Sequence, residues 1–314
     1  MDFLANYFGS LNPMSFLSAL PGNIAQGIIW GLMGLGVFLT FKLLNFADLS
    51  VDGSFATGGA VTAVMLINGC PVWATIIVAI LAGLAAGLVT GLLHTLLGIP
   101  DILAGILTQI ALYSINLNIM GKSNLPISYR NYTLVVSASN INMAILVGLG
   151  ICAVVIAAMY WYFGTEQGST IRSTGSNPAM SKAQGININF TKVIALALSN
   201  GLVALSGSLF AQYQGFADVG MGRGAIVIGL AAVIIGEAVF SRIFHNFALK
   251  LASVSIGAII YYIVIQLVLT LGFDANLLKL LSASVVAVFL AVPYWKGKYF
   301  SKPVKKAKED AKNA

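Results

Sequence analysis

Charged side chains are scarce in this chain of 314 residues. Asp, Glu, Lys and Arg together make up 9% of it, apolar residues make up 58%, and the mean hydropathy is +0.91. A soluble domain carries roughly 25% charged residues. So little charge excludes a soluble globular domain, and the composition instead indicates an all-α polytopic membrane protein.

Cysteine and histidine are also rare. Cys70 and Cys152, and likewise His94 and His245, stand far apart in the sequence. A metal site in a protein usually needs three or four ligands at short, characteristic spacings. We therefore expect no metal site, and we interpret both cysteines as small apolar residues within the helix packing.

The groups that an enzyme would need are missing as well. Gly121-Lys122-Ser123 looks like the end of a phosphate-binding loop, but Asn116 occupies the place of the upstream glycine and no strand precedes it. No nucleophile stands beside a base. We expect a chain that is not an enzyme and holds no cofactor of its own.

The net charge of +7 comes mainly from the C-terminus, so a basic surface for nucleic acid is not predicted. Seven of the seventeen basic residues are Lys296, Lys298, Lys302, Lys305, Lys306, Lys308 and Lys312. We interpret residues 296–314 as a basic cytoplasmic tail, held by the positive-inside effect and by anionic lipid. Residues 1–21 lack the basic start of a signal peptide, and we expect an amphipathic segment in the membrane interface.

Long apolar runs divide residues 22–295 into membrane crossings, since a helix needs about 20 apolar residues to cross the hydrocarbon. The runs of about that length are 22–43, 72–97, 141–163, 190–214, 250–272 and 276–295, and the shorter ones are 54–68, 101–120 and 225–240. We expect about nine crossings. Glycines spaced by four residues, as at Gly83, Gly87 and Gly91, predict close helix packing inside the subunit or across a homodimer.

An internal repeat gives these crossings an order. The stretch at residues 45–48, Asn-Phe-Ala-Asp, recurs as Gly-Phe-Ala-Asp at residues 215–218, an offset of 170. This offset predicts two four-helix repeats, residues 22–120 and 190–295, separated by one linking helix. The extra crossing inverts the second repeat, an arrangement that transporters use to alternate access around a central site.

The longest polar interruption is residues 172–187. Asn177 suits a helix N-cap, Pro178 suits the first helical position, and Gly185 suits the residue just past a helix. These residues predict a short helix at 178–184. Two interpretations stay open, a connecting loop with one helical turn and a surface helix that docks another protein.

Two motifs resemble a known family. G-S-N-P-A-M-S-K-A-Q-G-I-N at residues 175–187 is similar to the cytoplasmic loop of permease subunits of ABC importers of the branched-chain amino acid and ribose type. L-N-F-A-D-L-S-V-D-G at residues 44–53 is similar to a stretch after that family's first long helix, although its amino acid branch often has His where Asp48 stands. The order of apolar segments agrees over residues 22–295.

The resemblance implies partners and a coupling loop at residues 164–190. It implies two cytoplasmic ATPase subunits that bind ATP and Mg²⁺, an extracytoplasmic binding protein on the loops near 121–140 and 215–224, and a second permease, identical or paralogous. The residues implied to contact the ATPase are Gly175, Asn177, Pro178, Met180, Lys182 and Gly185. The implied substrate is an amino acid, aromatic ones included, while a sugar or a nucleoside stays open.

The basic residues predict the orientation in the cell membrane. With the tail inside, thirteen lie on the cytoplasmic side: the seven tail lysines, Lys42, Arg172, Lys182, Lys192, Arg242 and Lys250. Four lie outside: Lys122, Arg130, Arg223 and Lys279. This distribution satisfies the positive-inside rule and places residues 172–187 in the cytoplasm.

Polar residues within the apolar runs are candidates for a translocation path, because such side chains are costly in hydrocarbon unless they find partners. Gln109, Tyr113 and Asn116 share one helix face. The further candidates are Asn200, Gln214 and Gln266. The alternative is that these side chains form hydrogen bonds that only hold the bundle together.

Three aspartates accompany glycines where helices are expected to break: Asp48, Asp52 and Asp218. They are candidates for gating loops, and helix capping explains them equally well. A rival function is an ion-coupled secondary transporter or channel that works without an ATPase. It needs ionisable residues deep in the helices, whereas Glu237 lies near the end of its apolar run.

Overall fold

The computed structural model describes residues 13–128, 132–240, 244, 246–270 and 277–299. Its helices are α1 Pro13–Val37, α2 Val51–Ile67, α3 Val72–Thr95, α4 Asp101–Met120, α5 Ile141–Phe163, α6 Glu166–Ser176, α7 Pro178–Ala183, α8 Ile188–Gln214, α9 Ala225–Phe240, α10 Phe247–Thr270 and α11 Leu278–Tyr299. The predictions for residues 1–12, Arg130, Arg242, His245 and the tail beyond Tyr299 lie outside the described residues.

The helices reproduce the apolar runs. Those with the length and hydropathy of membrane spans are Phe16–Leu43, Val72–Thr95, Asp101–Met120, Ile141–Phe163, Ile188–Gln214 and Phe247–Thr270. Shorter apolar helices are Val51–Ile67, Ala225–Phe240 and Leu280–Phe289. The prediction of an all-α polytopic fold is therefore confirmed.

Helices α1 and α8 form the centre of the bundle. The most apolar window of each is 83% buried, against 22% for α5, which lies at the periphery. Side chains from both central helices, among them Leu32, Leu35 and Leu196, are completely buried in one core. Helices α2, α3, α5, α9 and α10 pack on one or both of them, whereas α4 packs on α2 and α3.

Hydrogen bonds between α1 and α8 confirm the inverted repeat. The Ser199 hydroxyl donates to the Gly36 carbonyl at 2.8 Å, and the Ser206 hydroxyl donates to the Ile29 carbonyl at 2.7 Å. At the offset of 170, Ser199 is the repeat equivalent of Ile29, and Ser206 is the repeat equivalent of Gly36. Exchanging the two repeats therefore converts each of these hydrogen bonds into the other. Helix α3 packs on α8 just as α10 packs on α1.

The glycine spacings serve packing inside the chain. A Cβ added at Gly27 would lie 2.7 Å from the Ile259 Cα, and one at Gly31 would lie 3.0 Å from the Ser255 Cα. Gly83 and Gly87 approach the backbone of α8 in the same way. For these four glycines, the interpretation as close packing inside the subunit is therefore correct.

The two ends of the bundle differ. At the strand end, α8 leads into β2 Phe216–Asp218, which pairs antiparallel with β1 Asn124–Pro126. At the opposite loop end, α5 leads into α6 and α7. Neither the strands, which are only three residues long, nor α6, which is polar and begins after its cap Thr165, was predicted.

The short helix α7 ends one residue earlier than predicted. It covers Pro178–Ala183, Gln184 is its C-cap, and Gly185 follows with a φ of 82°. The central helix α1 also continues as a π-helix, Phe38–Leu43, before the chain turns into residues 44–50.

Candidate functional site

Helices α2 and α9 begin opposite each other in the interior of the bundle. Asp52, in the first turn of α2, accepts hydrogen bonds from the backbone N–H groups of Gly224 and Ile226, both at 2.9 Å. The carboxylate of one repeat thus caps the second helix of the other repeat. The positive ends of two helix dipoles face the same region, near the midpoint of α4.

The repeat axis passes through this point. Gly222 is the repeat equivalent of Asp52, since the two are 170 residues apart. A Cβ added at Gly222 would collide with the carbonyl oxygen of Asp52. A residue that touches its own equivalent must lie close to the pseudo-twofold axis.

A cavity of about 240 Å³ with polar and apolar lining lies beside these helix starts. It is lined by Asp52, Gly53, Ala56, Gln109, Ile110, Tyr113, Asn116, Val219 and Arg223. Gln109, Tyr113 and Asn116, the stripe predicted on one face of α4, all line it. The structure therefore brings this stripe together with Asp52 and with Arg223.

Two side chains in this cavity lack conventional partners. Asn116 is completely buried, and neither its amide nitrogen nor its amide oxygen has a hydrogen-bond partner within the described part of the chain. The Arg223 guanidinium lies over the Tyr113 ring, 5.3 Å from its centroid. Among the described residues, the ion pair within 4.0 Å joins Lys42 and Glu237, so Arg223 forms none there.

Asp48 lies apart from the cavity, in the connection between α1 and α2. It is 2% exposed and accepts hydrogen bonds from the Ser50 N–H at 2.9 Å, the Ser50 hydroxyl at 2.5 Å and the Asn200 amide at 2.8 Å. Asn200, a candidate for the path, is thus placed in a buried cluster that ties this connection to α8.

Asp218 occupies the equivalent place after α8. Its carboxylate accepts from the Gly220 N–H at 2.7 Å, and the side chain is half-buried. Gln214 is exposed at the strand end, where it lines a different cavity with Lys122 and Leu125. Gln266 is half-buried on α10, and its carbonyl accepts from the Thr270 hydroxyl. These residues do not line the cavity beside Asp52.

At the loop end, α6 and α7 form an elbow. The Asn177 side chain accepts from the Met180 N–H at 3.0 Å, as an N-cap does, and Met180 is 58% exposed. A Cβ added at Gly175 would collide with the Leu43 carbonyl oxygen. The elbow therefore rests on the backbone that leads directly into residues 44–50.

Known proteins are similar in sequence to this chain over most of its length. Residues 22–292 match the family described as branched-chain amino acid transport system, permease component. The chain belongs to this permease family. The permease is 42% identical over 276 residues to the tyrosine transport system permease protein of Clostridioides difficile strain R20291, covering 88% of this chain and 91% of the relative.

Two more distant similarities, one in sequence and one in fold, are also found. The permease is 28% identical to the D-allose transport system permease protein of Escherichia coli strain K12, over 74% of this chain and 72% of the relative. A solved structure of an ABC transporter described as metal-chelate type, in an inward-facing conformation, gives a TM-score of 0.50 at 15% identity, covering 88% of this chain and 87% of that one. The second similarity concerns the fold alone.

Arg223, which lines the cavity, was predicted only as an outer basic residue, and the contact between Gly222 and Asp52 was not predicted. The repeat contains the signal for both, because adding 170 to Asp52 and Gly53 gives Gly222 and Arg223. The offset alone does not predict that Asp52 and its equivalent Gly222 contact each other.

Proposed function

We propose that this permease is the membrane-spanning subunit of an ATP-driven importer for amino acids, aromatic amino acids included. The family and the relative named for tyrosine transport support the substrate class. The observation that carries the proposal is α7, a short helix capped at both ends that exposes Met180 and Lys182 at the loop end. A partner ATPase contacts this helix.

The loop end faces the cytoplasm in this proposal. Described basic residues at that end are Lys42, Arg172, Lys182, Lys192 and Lys250, whereas Lys122 and Arg223 belong to the strand-end half. Basic residues favour the cytoplasmic side of short loops. The binding protein then docks at the strand end, near β1 and β2.

Force from the ATPase reaches the cavity through the elbow. Gly175 packs on the carbonyl of Leu43, the last residue of the π-helix. The chain then runs through Asp48 and Ser50, which are each hydrogen-bonded to Asn200, into the start of α2 at Asp52. Because these contacts are short and buried, a displacement of α7 shifts the start of α2 and so changes the cavity.

The cavity is the central part of the translocation path, with Gln109, Tyr113 and Asn116 on one wall. Tyr113 is 42% exposed, and Arg223, whose guanidinium lies over the Tyr113 ring, is exposed as well. An exposed arginine between spanning helices is costly where lipid covers it. A second permease, identical or paralogous, therefore covers this face, and the path lies at the subunit interface.

The ion-coupled alternative has one observation in its favour, the buried carboxylate of Asp48. The carboxylate accepts from the Ser50 N–H and the Asn200 amide, however, and a side chain that caps the turn before α2 explains this burial without ion coupling. Uptake into vesicles separates the two mechanisms. Transport that persists without ATP when a proton or sodium gradient is imposed supports the alternative.

A matched pair of substitutions tests the coupling role of α7. Lys182→Gln removes a positive charge on α7, and Lys250→Gln removes one from an exposed position at the same end, on α10. Asn177→Ala removes the N-cap. We expect Asn177→Ala to lower uptake and substrate-stimulated ATPase activity at least tenfold, Lys182→Gln to lower them severalfold, and Lys250→Gln to change neither.

The measurement is made on the complete transport system in proteoliposomes, with the melting temperature of each permease variant recorded alongside. Full uptake by Asn177→Ala, despite loss of the cap, contradicts the assignment of α7 to the ATPase interface.

A further inference from the structure

Among the described residues, the positive charge of Arg223 in the cavity beside Asp52 has no ion-pair partner, and the buried amide of Asn116 has no hydrogen-bond partner. We propose that this cavity binds the transported amino acid directly, with Arg223 binding the α-carboxylate and Asn116 supplying a second polar contact. This inference rests on the proposed function and names the residues that give it specificity.

Arg223 is free to bind an anion. The carboxylates that face it are Asp52 and Asp218, and both are engaged by backbone N–H groups. Neither forms an ion pair with Arg223 among the described residues. The Tyr113 ring supports the guanidinium from one side, which holds its planar fork at the mouth of the cavity. Such a fork matches a carboxylate with two parallel hydrogen bonds.

Asn116 is the independent observation that points to a ligand. It is completely buried, lines the cavity, and leaves both amide atoms without a partner. Buried polar groups in proteins are almost always hydrogen-bonded. A bound amino acid satisfies this amide, because its carboxylate accepts hydrogen bonds and its ammonium donates them.

The remaining features suit a zwitterion. Asp52 has spare acceptor capacity on its oxygens and lines the same cavity as Arg223, so the lining carries one negative and one positive charge. A neutral sugar would leave the charge of Arg223 uncompensated. The volume of about 240 Å³ accommodates only a small solute.

The test measures binding to the full-length permease in lipid nanodiscs. The probes are L-tyrosine, tyramine, which lacks the carboxylate, and 3-(4-hydroxyphenyl)propionate, which lacks the ammonium. We expect tyramine to bind the wild-type permease at least tenfold more weakly than tyrosine, because a site built for hydrogen bonds rejects a ligand that lacks the matching group.

Arg223→Gln should lower tyrosine affinity at least tenfold, to the level of tyramine, and leave tyramine binding unchanged. Arg223→Lys should restore part of the preference, since it keeps the charge without the fork. Lys250→Gln is the matched control, a charge lost at the loop end. Asn116→Leu should weaken tyrosine binding severalfold while raising the melting temperature, because it replaces an unpaired buried amide with an apolar group.

The outcomes are separable. Equal binding of tyrosine and tyramine by the wild-type permease, or undiminished tyrosine binding by Arg223→Gln, overturns the proposed site. Tyrosine uptake by the complete system that Arg223→Gln does not alter also overturns the site and leaves the proposed function standing. A complete system that takes up D-allose and no amino acid overturns the proposed function itself.

Discussion

The same backbone conformation begins the connection from α1 to α2 and the equivalent connection from α8 to α9. Asn45 has a φ of 54° and Gly215 has a φ of 78°, and each ends a central helix in the left-handed region. Three residues later, Asp48 and Asp218 each accept a hydrogen bond from the N–H group two residues further on. The two connections then diverge.

The first connection, which contains Asp48, is buried, whereas the second, which contains Asp218, is partly exposed. Asp48 is buried and bonded to Asn200, beneath the elbow of α6 and α7. Asp218 is half-buried, its strand is held by β1, and the chain continues through Gly222 and Arg223 along the cavity. The inverted repeat thus contains the same turn twice. Because the neighbouring residues differ, the copy at Asp48 is a structural link and the copy at Asp218 leads into the lining of the cavity.

The largest effect is expected where the two repeats touch. Gly222→Ala places a methyl group against the Asp52 carbonyl, so the two helix starts must separate. We expect a loss of about 3 kcal/mol in stability, as for overpacked cores, and loss of uptake. Gly150→Ala on α5 is the control, because nothing lies within 4 Å of that position. A melting temperature for Gly222→Ala equal to that of the control contradicts the contact.

The two aspartates test the difference between the connections. Asp48→Ala removes the acceptor of the Ser50 N–H in the interior and one partner each of the Ser50 hydroxyl and the Asn200 amide, and we expect a loss of about 2 to 3 kcal/mol. Asp218→Ala removes one bond at a half-buried site and should cost about 1 kcal/mol. Thermal unfolding of both variants in the same detergent makes the comparison. Equal losses would show that the first connection is no more sealed than the second.

The symmetric hydrogen bonds provide a finer test. Ser199→Ala and Ser206→Ala each remove one hydroxyl that donates to the facing central helix. Each should cost about 1 kcal/mol, and the two costs should agree within about 0.5 kcal/mol. The measurement is the melting temperature of both single variants and of the double variant. A clear inequality between them would show that the repeats differ even at the central pair.

The smallest effect is expected for the ion pair that joins the repeats at the loop end. Lys42 and Glu237 lie 2.9 Å apart, but their side chains are 50% and 40% exposed. Exposed pairs contribute about 0 to 1 kcal/mol. A double-mutant cycle with Lys42→Gln and Glu237→Gln should therefore give a coupling below about 0.5 kcal/mol at moderate salt. A larger coupling would mean that this pair also holds the repeats together.

The helices, the repeat and the cap of α7 were predictable because each depends on local sequence. Apolar runs specify spanning helices, and Asn177, Pro178 and Gly185 have conformational preferences of their own. The strands and α6 were not predictable, since β1 and β2 pair across about 90 residues and α6 lacks an apolar pattern. The stripe of Gln109, Tyr113 and Asn116 was identified, whereas Arg223 was not.

The sequence by itself determined that this chain spans a membrane, that it contains two inverted units, and that a capped helix projects at one end, because composition and short-range preferences decide these features. Only the tertiary structure decided that Asn200 seals a connection while Asn116 faces a cavity. It alone placed Asp52, Gly222 and Arg223 together. The physical reason is that a pseudo-twofold axis brings distant residues into contact, and no local pattern records where that axis passes.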